Sequence, residues 1–162
     1  MKFKFLIVAL LLISFCGGTT QANECEVYVA EVNKIVKNQW EPFVEDTDNI
    51  ISLYLSNGLS DALAKKEFSS DLPNDLNEII NSISLLEPTD TPFTDELLTP
   101  MDFHNWMIGD LEKSLVLFEY FAGLVDKPNQ DTFNTFYGLL IQDREFFLED
   151  VNGLNMFECP SD

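Results

Sequence analysis

The chain has 162 residues, 46% of them hydrophobic and 23% charged, with a mean hydropathy at zero, which is material for one domain whose core can hold itself up. Its 28 acidic residues outnumber nine lysines and arginines and give a formal charge of −19. A surface that acidic repels nucleic acid and anionic membranes, so it excludes both as partners and leaves either simple solvation or a cationic partner such as a basic protein, a polyamine or calcium.

Residues 1–22 read as a cleaved export signal. Lys2 and Lys4 form a basic start, Phe5 to Phe15 an apolar run, and Thr20 and Ala22 take the two positions that a signal peptidase reads, with cleavage before Asn23. The apolar run is too short for a comfortable permanent span, so no stable membrane anchor is expected after cleavage. Cys16 follows that run, but the bulky Phe15 before it argues against lipid attachment. Removing residues 1–22 takes away two lysines and no acid, so the charge becomes −21. The expected destination is the periplasm or the exterior, and residues 23–162 form one domain.

Four helical units follow. The first spans about residues 24–57 and spaces Val29, Val32, Val36 and Trp40 as one helix face. Pro42 is expected to kink or restart it, and Asn57-Gly58 to end it. The second, about 60–87, carries Leu76, Ile79, Ile80, Ile83 and Leu86 up to Pro88. Residues 88–100, with three prolines and four threonines, make one long connection. Thr99, Pro100 and Asp102 form a helix start, with a capping oxygen, a proline at the first helical position and acid in the first turn. The third unit, 101–126, lays Phe103, Trp106, Met107, Leu111, Leu115, Phe118, Ala122 and Val125 on one face. Lys127-Pro128-Asn129 separates it from the fourth, 130–152, which carries Phe133, Phe136, Tyr137, Leu140, Ile141, Phe147, Leu148 and Val151 and is expected to stop at Gly153.

Cys25 and Cys159 stand at opposite ends of this domain. An up-down bundle with an even number of helices returns the chain to the end where it began, so the two thiols are expected to form a disulfide. The expected fold is all-α: a four-helix up-down bundle with a kinked first helix, a long connection between helices two and three, and joined termini. Closing a loop of about 135 residues contributes roughly 4–5 kcal/mol in the chain-entropy view.

Candidate chemistry is sparse. Glu45-Asp46-Thr47-Asp48-Asn49 begins like a calcium loop but lacks the glycine at its sixth position and ends at Asn57 instead of glutamate. His104, the sole histidine, is the only imidazole base for a catalytic triad and reads as a partly exposed residue of a helix's first turn. Arg144 falls among Leu140, Ile141, Phe147 and Leu148. Its head either snorkels to the rim or pairs inside the bundle with Glu112 or Glu119. The 14 phenylalanines form either a packed core or, around Met107, Phe118, Phe121, Phe136 and Phe147, a cavity for an apolar ligand.

The stretch from Asp110 to Ala122, then Phe136 to Val151 with Gln142-Asp-Arg-Glu-Phe-Phe-Leu-Glu149, resembles the third and fourth helices of ferritin-like, rubrerythrin-type bundles over about 45 residues. The resemblance implies a bundle with a long connection after its second helix and a di-iron site of glutamates with two Glu-x-x-His motifs. This sequence departs from it at the ligands: Asp143 with Phe146, and Glu78 with Asn81, stand at the motif positions, and neither supplies a histidine. What remains is a carboxylate-only alternative of Glu78, Glu112, Glu119 and Asp143. The leading expectation is an exported, non-catalytic protein without cofactor that binds a basic protein or a small apolar ligand. The sequence carries no signal for an oligomeric state.

Overall fold

The computed structural model of the chain describes residues 21–94 and 96–160. Except for Gln21 and Ala22, the leader assigned to residues 1–22 lies outside them, as does Cys16. The described residues are helical without strands, and they form four helical rods. The first consists of α1 (Gln21–Ile35) and α2 (Glu41–Leu55), joined by a π-helical turn at Val36–Trp40. The second consists of α3 (Asp61–Lys66) and α4 (Leu72–Ser84), joined by a π turn at Glu67–Asp71. The third and fourth are α5 (Pro100–Asp126) and α6 (Gln130–Met156).

Both π turns have one cause. A proline inside a helix lacks an N–H and presses its ring on the carbonyl four residues back. Here Glu41 and Leu72, each the residue before a proline, donate their N–H five residues back, to the carbonyls of Val36 and Glu67. The widened turn makes room for Pro42 and Pro73, and the helix continues. The kink or restart expected at Pro42 takes the form of a π turn within one continuous rod, with Trp40 and Phe68 turned into the core.

The rod ends follow local chemistry. Gly58 N–H reaches Leu53 O at 2.8 Å and Asn57 N–H reaches Tyr54 O at 3.1 Å, with Asn57 rather than the glycine taking the left-handed φ of 58°. Thr99 and Asp102 complete a reciprocal capping box: the Thr99 hydroxyl accepts from Asp102 N–H, and the Asp102 carboxylate accepts from Thr99 N–H at 2.8 Å. Asn129 caps α6 by accepting from Thr132 N–H. Gly153 does not end that helix. It lies inside α6, where a methyl group would stand 2.5 Å from Phe103 Cε1, so it is the site of a close helix–helix approach.

The core is largely aromatic. Trp40 meets Phe147 at 4.6 Å, Phe43 meets Phe118, and Phe68 meets Phe121 and Phe133. Tyr54 contacts both Phe68 and Phe133. Three residues expected on inner faces lie exposed instead: Trp106, Ile141 and Leu148. On α5, Asp110 and Ser114 are buried between Met107 and Phe118, at positions the sequence reading left outside the apolar face.

Cys25 and Cys159 form the disulfide, with Cα atoms 5.8 Å apart. The long connection is pinned at the same end. Phe93 is buried against Phe103 and Phe157, and Thr94 N–H donates to Glu158 O at 3.1 Å. Among the described residues no helix is long and apolar enough to cross a membrane.

Candidate functional site

Two long helices, α5 and α6, pack along their length, and near the disulfide end their outer seam opens into a groove of about 340 Å³. From α5 come Asn105, Trp106, Gly109, Asp110 and Lys113, and from α6 come Phe146, Glu149 and Asp150. Spacing explains the set. Residues 106, 109/110 and 113 recur every three to four positions on α5, and residues 146 and 149/150 do so on α6, so each helix offers one strip. Gly109 leaves the groove open, since a Cβ there would meet nothing within 4 Å. Trp106 and Phe146 are 45% and 41% exposed, unusual for rings of that size in a chain that buries most of its aromatics.

Below these rings lie two carboxyls. Asp110 is buried, and its Oδ1 accepts from Lys113 Nζ at 2.6 Å. Asp150 is half-buried beside it. Burial first, then the charge of Asp110 and a hydrogen bond with it, push the Asp150 carboxyl up to about 6. Asp143, farther along α6, is also raised, mainly by burial, with Lys113 working against the shift. Asp150 therefore takes up its proton at about 6, well above an ordinary carboxyl, and is mainly ionised at neutral pH.

The sole arginine, Arg144, is buried at an inner position of α6 flanked by Leu140 and Phe147. Its partner is Asp48 of α2, not Glu112 or Glu119, which are exposed on α5. Arg144 Nη1 donates to Asp48 Oδ1 at 2.6 Å, and the Tyr137 hydroxyl donates to the same oxygen at 3.3 Å. Arg144 Nε and Nη2 are buried without a partner. The disulfide could have pointed toward Asp48. Arg144 lies fifteen residues before Cys159, and the same count forward from Cys25 reaches Trp40, two turns short of Asp48 on the same rod.

The remaining sequence candidates disperse. His104 is not a surface residue. It is buried on α5 with Nδ1 3.2 Å from the Tyr28 hydroxyl, and burial holds its imidazole below the usual range while raising the Tyr28 hydroxyl. Met107, Phe118, Phe121 and Phe147 are fully buried, and the three rings contact other core rings. Phe136 stacks on the exposed Tyr120 at 4.8 Å. None of these five residues lines the grooves at the surface of the described bundle. Glu78 faces a groove of about 280 Å³ between α2 and α4 with Asp46 and Asp75. Glu112, Glu119 and Asp143 do not line that groove, and the carboxylate-only metal set is not assembled among the described residues. Among the described residues no group of three or more His, Cys, Asp or Glu is placed to hold a metal ion. The residues that sequence reasoning missed, Asp110 and Asp150, carry one visible signal: Asp110 continues the three-and-four spacing of Phe103, Met107, Ser114, Leu117 and Phe121.

No family model, curated protein or solved structure matches this chain.

Proposed function

We propose that this chain is an exported, non-catalytic binding protein whose disulfide-closed bundle is a rigid scaffold and whose acidic surface takes a cationic partner. The observation that carries the reading is the α5–α6 groove, where two exposed rings flank two carboxyls on a chain of formal charge −19. Net charge of that size attracts cationic partners over a distance, and aromatic faces hold them at contact. An apolar ligand inside the bundle is not part of the proposal, because the core rings occupy that space.

The scaffold in this reading is an up-down four-helix bundle. Residue pairs support it. Asn33 with Asn155 and Tyr54 with Phe133 run in opposite order along the first and last rods, as do Tyr54 with Phe68 and Asp46 with Asp75 along the first two. Lys65 with Asp126 and Phe68 with Phe121 do the same for the second and third. Ferritin-like descent is not part of the proposal, since that resemblance rests on about 45 residues and lacks both ligand histidines.

Native mass spectrometry of the gently purified, oxidised protein is the test. The expected result is a retained basic species, with a melting temperature that rises with polyamines or basic peptides and is unmoved by lipids. A clean apo mass and no shift from any cationic compound would end the proposal.

A further inference from the structure

We propose that the Trp106–Phe146 groove is a site for an alkylammonium ion, the alkyl chain held between the two rings and the charge facing Asp110 and Asp150. This rests on the cation-binding reading above and gives it a place and a ligand class.

Four observations converge on that chemistry. The groove has room for a short chain, and Gly109 leaves it open. Its walls are a Trp and a Phe left about half exposed, the faces to which an ammonium and its flanking methylenes are drawn. Beneath them, Asp150 makes no ion pair of its own, since Lys113 is bonded to Asp110 and acts on Asp150 only through its charge. The charged groups facing it are Asp110 and Lys113 from α5 and Glu149 from α6, with Asp143 acting on Asp110 and Lys113 from farther along α6, which leaves the site acidic overall. A divalent cation is not the ligand this groove points to, because among the described residues no three His, Cys, Asp or Glu are placed to hold a metal ion.

Lys113 makes the proposal specific. It is a tethered alkylammonium reaching the same carboxyl pair from the rim, 62% exposed and free to swing out, so it is both a template for the ligand and its competitor. Asp150 supplies a second signature. An ammonium over the pair favours the ionised carboxylate, so binding near pH 6 releases a proton, and affinity falls below that pH.

Calorimetric titration of the oxidised protein with 1,4-diaminobutane and with a short lysine peptide tests this, against potassium chloride at matched ionic strength. Saturable binding below about 10 mM is expected for at least one probe. It should weaken at least about tenfold in Trp106→Ala and in Asp150→Asn. In Lys113→Gln it should strengthen by up to about fivefold, the worth of an exposed ion pair. Binding of the diamine alone identifies a free amine as the source, and binding of the peptide alone a lysine of a partner protein. The site is overturned if neither probe saturates, if potassium chloride reproduces the heats, or if Trp106→Ala and Lys113→Gln both leave the affinity unchanged. A cationic species that remains on the protein in those variants would sink this groove while leaving the broader binding reading intact.

Discussion

The Arg144–Asp48 pair is asymmetric, and the asymmetry makes a sharp prediction. The Arg144 side chain is 8% exposed and the Asp48 side chain 45%. Removing the acid strands a guanidinium inside the bundle that already lacks partners for Nε and Nη2. Asp48→Ala is expected to cost about 3 kcal/mol, the usual loss when a buried pair is broken from one side. Removing the base leaves a carboxylate that water already reaches, while leucine extends the apolar face between Leu140 and Phe147. Arg144→Leu is therefore expected within about 0.5 kcal/mol of the parent. The double variant should recover most of the Asp48→Ala loss, since the charge that needed neutralising is gone. Urea melts of the three oxidised variants at pH 7 measure all of this in one cycle. If Arg144→Leu costs as much as Asp48→Ala, or the double variant adds the two losses, the pair does not work by burial of the guanidinium.

Two further substitutions test the packing. Gly153→Ala should cost about 1–3 kcal/mol despite a gain in helix propensity of about 1 kcal/mol, because its methyl collides with Phe103. Gly138→Ala, with nothing within 4 Å of the new atom, should instead gain roughly 0.5–1 kcal/mol, and equal effects in urea melts would refute the distinction. Reduction of Cys25–Cys159, which spans 134 positions, should remove about 4–5 kcal/mol, and a loss under about 1 kcal/mol in reducing urea melts would show that the open chain is already constrained.

Helix existence was legible because apolar residues at three-and-four spacing and strong caps agree, as at Thr99 and Asp102. The disulfide was legible from the placement of two cysteines in a helical chain. Three features were not, each for a physical reason. Pro42 breaks a helix in isolation, but packing of Trp40 and Phe43 keeps the rod intact and the π turn absorbs the ring. Gly153 looks like a terminator because glycine ends helices more often than it admits a neighbour, and only the position of Phe103 decides which it does here. Periodicity read through the apolar residues alone put Trp106 inside and Asp110 outside. The spacing of Met107, Asp110, Ser114 and Leu117 already argued the reverse, and the structure follows the spacing. That exchange of one aromatic for one acid is what builds the candidate site, so the site was hidden by the assumption that large apolar residues face inward.

Asp150 gives the fold a pH dependence that can be isolated. Asp150 titrates at about 6 in the folded protein against 3.8 ordinarily, so between those values the native state binds the extra proton. Stability contributed by this group therefore rises as pH falls from about 6 toward 3.8 and is absent at neutral pH. His104 opposes it: its folded value is lowered, so the unfolded chain takes up the proton first and stability falls as pH drops below 6.5. Relief of the overall negative charge acts in the same direction as Asp150. Comparing Asp150→Asn with the parent cancels the histidine and the global charge, because both chains share them. A shift of two units corresponds to roughly 3 kcal/mol at full strength, but water still reaches this carboxyl, and screening reduces the expected effect to about 1 kcal/mol. Asp150→Asn should therefore be more stable than the parent by about 1 kcal/mol at pH 7 and indistinguishable from it near pH 4, where the parent's Asp150 is neutral as well. Urea midpoints at the two pH values read the difference. A destabilised variant at pH 7, or a difference that does not change with pH, would mean that burial and the neighbouring Asp110 do not penalise an ionised Asp150 in the folded protein.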